Sequence, residues 1–182
     1  EYFDTFDNDV ENTVKAKNKH DVFEDNQTVI DIGSVEEFIT ESKLIDNASS
    51  DLKVCIFDLD NTLIKTDDLE KIRLEGKNLS NHNDYIRRLT EQFHRQSSRL
   101  IISVNHLNSI RTSLPNVKIC IFSNAPKIYV NHLLSLAYPT FAWDSIVAYE
   151  DVKRHKPNAD GIQKIIRSFP GTQANHVVMI GD

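Results

Sequence analysis

Four short apolar runs restrict this chain's fold more than any other feature: Lys53 to Phe57, Lys118 to Phe122, Ser145 to Tyr149 and His176 to Ile180. Within each run the apolar residues are consecutive rather than alternate, and most are followed by small or polar residues. Strands of this kind bury both faces, as in parallel sheets covered by helices on each side. The stretches between them carry helical spacing and helix-stopping residues. These are Asp67 to Leu74 stopped by Gly76, Asp84 to about Arg99 with Tyr85, Ile86, Leu89 and Phe93, and Val104 to Leu114 ended by Pro115, then 128–136 and 159–168. The pattern predicts a doubly wound, Rossmann-like parallel α/β sheet over residues 51–182, first strand central. A short helical insertion at about 65–102 is expected to act as a cap.

An appendage, residues 1–50, precedes this body. Its first part is rich in Asp, Glu, Asn and Lys, without a sustained period, and is expected to be irregular. Residues 29–33 then read as a short strand. Ser34 and Glu37 form a capping box ahead of a helix over about 35–45. No internal repeat or low-complexity tract is visible.

The net charge of −6 disfavours generic binding to nucleic acid or an anionic membrane; nucleic acid would enter only as a phosphorylated substrate. No apolar run approaches the roughly 20 residues of a spanning helix, and no basic-then-apolar leader opens the chain. Cys55 and Cys120 sit inside apolar runs and read as core residues, not as a disulfide framework or zinc site. A cytoplasmic protein without membrane partners is expected.

Ligands of open parallel sheets bind beyond the carboxyl ends of the strands, so the residues after each run are the ones to read. The first is followed by Asp58-Leu59-Asp60-Asn61-Thr62-Leu63 and the second by Ser123-Asn124. Lys156-Pro157 stands near the third, and Gly181-Asp182 follows the fourth. Asp58 and Asp60, two apart, would project to one side, and crowded carboxylates need a cation or a shared proton. With Asp182 they offer hard oxygen ligands suited to Mg²⁺. Ser123 supplies a hydroxyl and Lys156 a positive charge, both suited to phosphoryl oxygens. Plainer readings exist for each: Asp-x-Asp as a helix cap, Ser123 as a turn hydroxyl, and Lys153 or Lys156 as a solvated cation.

Asp-Leu-Asp-Asn-Thr-Leu resembles the first motif, Asp-x-Asp-x-Thr, of the haloacid dehalogenase (HAD) superfamily. Ser123, Lys156 and Gly181-Asp182 are similar to its second, third and fourth motifs, in that order. The resemblance implies a phosphomonoester hydrolase with Asp58 as nucleophile, forming an aspartyl-phosphate, and Asp60 as acid and base. Mg²⁺ would be held by Asp58, Asp182 and the backbone carbonyl of Asp60. The phosphoryl oxygens would be clamped by Ser123, Asn124 and Lys156. An acid at position 60 marks the phosphatase and phosphomutase branches of that family. A phosphomutase or phosphotransferase, or a HAD-like domain kept for binding or regulation, are the rival classes. The family's fourth motif and sheet continue beyond a Gly-Asp pair, so further residues carrying another carboxylate are expected after Asp182.

The seven histidines show no ligand spacing. Arg88, Arg95 and Arg99 would share one helical face. Asp84 and Glu91 stand four residues ahead of Arg88 and Arg95, as pairing partners. Steering of an anionic substrate is the alternative use of that face.

Overall fold

The computed structural model describes residues 52–181. The appendage at 1–50, with its expected strand and helix, and Asp182 lie outside the described residues. Four parallel strands, β1 (Val54–Phe57), β2 (Lys118–Phe122), β3 (Ser145–Val147) and β4 (Val177–Ile180), form one sheet in the order β3-β2-β1-β4. β1 is thus interior, with Val54 opposite Lys118 on one side and Val177 on the other. All four of its residues are fully buried, the outcome of an apolar run with neighbours on every side.

Successive side chains along the strands feed two cores. Cys55, Phe57, Ile119, Ile121, Val178 and Ile180 face one; Val54, Ile56, Cys120, Phe122 and Val147 face the other. The first core is closed by α3 (Val104–Ser113) and α4 (Lys127–Ala137), through Leu107, Ile110, Tyr129, Val130 and Leu133. The second is closed by α5 (Asp160–Arg167), through Ile162 and Ile165. Gly161 lets α5 approach: a Cβ there would stand 2.2 Å from Cε2 of Phe122. Both cysteines are buried and free. Among the described residues no helix is long and apolar enough to cross a membrane.

Between β1 and β2 lies the helical stretch: a 3₁₀ turn (Asp67–Leu69) running into α1 (Glu70–Glu75), then α2 (His82–Phe93). Asn81 caps α2, its side chain accepting from the Asp84 N–H at 3.1 Å. The chain enters and leaves this stretch along one pairing: Lys65 N donates to Arg99 O at 2.8 Å and Ile101 N to Leu63 O at 3.0 Å. The Tyr138 hydroxyl lies 2.9 Å from Leu63 O and 2.8 Å from Ile102 O, tying both sides of that pairing to the core.

Four expectations need correction. α2 ends at Phe93 rather than near Arg99, because residues 94–99, His-Arg-Gln-Ser-Ser-Arg, offer nothing apolar to bury. Arg99 therefore shares no helical face with Arg88; it is buried, bidentate to Asp68 at 2.7 Å, and donates to the carbonyls of Phe93, Lys65 and Gln92. Asp84 does pair with Arg88, at 2.9 Å, but Glu91 pairs with Arg87. The third strand stops at Val147 instead of Tyr149. There the Asp151 carboxylate accepts from the Ala148 N–H at 3.0 Å and turns the chain into a 3₁₀ turn, Tyr149–Asp151.

Candidate active site

The pairing of β1 with β4 runs one residue past the strand, since Asp58 N donates to Ile180 O at 2.8 Å. This fixes the Asp58 backbone at the carboxyl end of the sheet. Gly181 presses against it: a Cβ on Gly181 would lie 2.9 Å from Cβ of Asp58 and 3.5 Å from Oγ1 of Thr62. The chain therefore passes directly beside the carboxylate just before Asp182.

Oδ1 of Asp58 accepts from the Leu59 N–H at 2.8 Å and lies 2.7 Å from Nζ of Lys156. No hydrogen bond among the described residues reaches Oδ2. Burial pushes the Asp58 carboxyl above its ordinary range, the Lys156 ammonium and the Leu59 N–H pull it back, and nearby Asp60 adds to the rise. Lys156 is placed from behind by Asn124, whose Oδ1 accepts from Lys156 N at 2.9 Å and whose Nδ2 donates to Lys156 O at 3.3 Å. The Asn124 amide thus grips both backbone polar groups of Lys156. Lys153, by contrast, is exposed.

Ser123 directly follows β2, the neighbour of β1, and so stands at the same end of the sheet. It is buried, its N–H donates to Val147 O at 3.0 Å, and its Oγ accepts from Ala125 N at 3.0 Å. The hydroxyl turns the chain toward α4 and keeps its own proton to give. Glu150 completes that turn, its Oε2 accepting from Lys127 N at 2.7 Å where α4 begins.

Asp60 is held by two residues that sequence reasoning did not single out. The hydroxyl of Tyr129, on α4, donates to Oδ1 at 3.0 Å, and Arg73 Nη1, on α1, lies 3.3 Å from Oδ2. Burial and the neighbouring Asp60 carboxylate drive the Tyr129 phenol far above its usual range, so it remains a donor. In the sequence Tyr129 reads as part of an apolar helix face and Arg73 as a surface cation near Glu70; neither pattern points to a carboxylate far away along the chain. Asn61 shapes the loop between, with φ of 56°, a left-handed conformation that Asn tolerates. Its side chain accepts from Thr66 N at 2.9 Å and donates to Asp67 at 2.7 Å.

The donor set fits a divalent cation such as Mg²⁺: two crowded carboxylates, a half-buried Asp58 whose Oδ2 has no hydrogen-bond partner among the described residues, and a Gly181 backbone that leads the chain past it. Among the described residues no group of three His, Cys, Asp or Glu forms a metal site, and Asp182, the expected third carboxylate, lies outside them.

A family model for haloacid dehalogenase-like hydrolases matches residues 68–182. The match takes in Ser123, Lys156 and Gly181-Asp182 and begins after Asp58 and Asp60. Among solved structures, the chain is similar to a HAD-superfamily hydrolase, subfamily IA, variant 1, from Geobacter sulfurreducens, at 12% identity and a TM-score of 0.49, covering 72% of this chain and 80% of that one. It is also similar to YfnB from Bacillus subtilis bound to magnesium, at 15% identity and a TM-score of 0.46, covering 72% and 80%. For CbbY from Rhodobacter sphaeroides in complex with phosphate, the identity is 15%, the TM-score 0.42 and the coverage 70% and 76%. No curated protein matches in sequence.

Proposed function

We propose that this chain, which belongs to the haloacid dehalogenase-like hydrolases, hydrolyses phosphomonoesters through a phosphoryl group carried on Asp58. The observation that supports this most is the contact between Lys156 Nζ and Asp58 Oδ1, 2.7 Å long, joining two distant parts of the chain at the sheet's carboxyl end. An ammonium there offsets the repulsion between a carboxylate and an incoming phosphate.

Asp58 attacks phosphorus in line; the new bond is Asp58 O–P and the broken one joins phosphorus to the leaving oxygen. Asp60 gives that oxygen a proton, so the leaving group departs as an alcohol. Asp60 then takes a proton from the water that attacks phosphorus. The Asp58 O–P bond breaks, and phosphate leaves with the carboxylate restored. Lys156 and the Ser123 hydroxyl bind the transferring oxygens, and Asn124 keeps the Lys156 backbone in place. Mg²⁺, held by the Asp58 and Asp182 side chains and the Asp60 carbonyl, would supply positive charge between carboxylate and phosphate.

The test is a screen with Mg²⁺ over sugar phosphates, nucleotides, phospho-amino acids and nucleic-acid ends, run beside Asp58→Asn. Wild-type turnover should fall by at least about 10³-fold in the variant, with the fold retained. Activity within tenfold of wild type would remove Asp58 from the role of nucleophile.

A further inference from the structure

The two contacts on Asp60 are unequal. Tyr129 is fully buried among Val130, Leu133 and the rest of the main core, and its hydroxyl reaches Oδ1 at 3.0 Å. Arg73 is 30% exposed, comes from the inserted helices, and reaches Oδ2 at the longer distance of 3.3 Å. The first contact is rigid because the ring cannot move without disturbing the core. The second can give way to an arriving group.

From this we infer that Tyr129 is a positioning residue for Asp60, a role resting on the phosphohydrolase reading. Its hydroxyl holds Oδ1 and so leaves Oδ2 as the oxygen turned toward the leaving group. A carboxylate has a soft terminal torsion: free in water it samples a broad range about its last bond. A proton donor must nevertheless stay within hydrogen-bond reach of the leaving oxygen, and a misplacement of about 1 Å can cost 10²-fold. One rigid donor on one oxygen removes that freedom without occupying the other. The Tyr129 hydroxyl meets the Thr66 side chain as well as Asp60, and of the two only Asp60 has a part in the proton transfers, so the effect on turnover passes through Asp60.

The prediction separates this from plain structural support. Tyr129→Phe removes one buried oxygen and keeps the ring. It should lower kcat on glycerol 2-phosphate, whose alkoxide needs a proton, by about 10- to 100-fold while leaving KM near wild type. On p-nitrophenyl phosphate, whose leaving group needs little help, the loss should be several-fold smaller, copying in weaker form the pattern of Asp60→Asn. Equal losses on both substrates, or none, would overturn the inference. If Asp60→Asn discriminates between the substrates and Tyr129→Phe does not, the inference fails and the phosphohydrolase reading stands; if Asp60→Asn does not discriminate, the acid role of Asp60 falls and the inference with it, while the phosphohydrolase reading is decided separately by wild-type turnover against Asp58→Asn. A crystal structure of Tyr129→Phe needs no turnover: the Asp60 carboxylate should be rotated or present in more than one orientation, and an unmoved carboxylate would also overturn the inference.

Discussion

The sheet end and the inserted helices flank the same pair of carboxylates, yet only the insertion leans on a buried charge network as well as on the shared apolar core. At the sheet end, Asp58 stands on a strand whose every residue is buried, and its backbone is paired with Ile180. The inserted stretch adds charge to its packing: Leu69, Tyr85, Leu89 and Phe93 join the main core, while Arg88 bridges Glu75 of α1 and Asp84 of α2, and the buried Arg99 grips Asp68 and three carbonyls. Apolar packing spreads its stabilisation over many contacts of small individual worth. A buried charge concentrates it, because removing one partner strands the others. The site therefore combines a tolerant scaffold with a brittle arm, and Arg73 belongs to the arm.

Arg99→Ala should break that arrangement most severely. It leaves Asp68 without its guanidinium and takes one donor from each of three carbonyls, of which Gln92 O keeps the Arg95 N–H, at a cost of roughly 3–5 kcal/mol. Denaturant unfolding would measure the loss, and hydrogen exchange should locate it first in α1 and α2. A cost below about 1 kcal/mol would mean that charge is not what holds the arm.

Gly161→Ala probes the sheet side. The added methyl would meet the Phe122 ring at 2.2 to 2.6 Å, and overpacking of this kind costs about 1–3 kcal/mol. Thermal unfolding should show the loss across the whole domain rather than in one part. A neutral variant would show that the second core can yield.

The mildest effect is expected from acid. Arg99 holds the Asp68 carboxyl below its ordinary 3.8, at about 2. A depressed value means that this contribution is complete above the ordinary value and fades as pH falls from 3.8 through about 2. Proteolysis of the inserted helices should thus accelerate over that window in the native protein, and Arg99→Ala should have lost the transition. An arm equally protected at both ends of the window would contradict the assignment.

The same division governs what could be read from the amino acids. The four strands, the stop at Gly76 and the ends of α3, α4 and α5 follow from apolar spacing and breakers, which are local and repeat along the chain. The nearness of Lys156 to Asp58 was also legible, because parallel strands put their carboxyl ends together. Arg99 was not: a buried arginine and a solvated one look alike in sequence, and only the carbonyls gathered around it tell them apart. Tyr129 and Arg73 escaped for a related reason. One looks like core and the other like surface, and their shared target is set by how α4 and α1 lie against the loop after β1.

The pairing of Lys65 with Arg99 and of Leu63 with Ile101 has a consequence for the evolvability of such a chain. Where a detour begins and ends at one spot, closure entropy grows slowly with whatever length is threaded between the two anchored ends, and the cost of a change falls on side-chain contacts such as Arg73 with Asp60 and the packing of Tyr85 and Leu89 on the main core. Helices can then be lengthened or trimmed at that junction as a cassette wherever those side-chain contacts are kept, while the Asp58 backbone stays paired to Ile180 on the sheet.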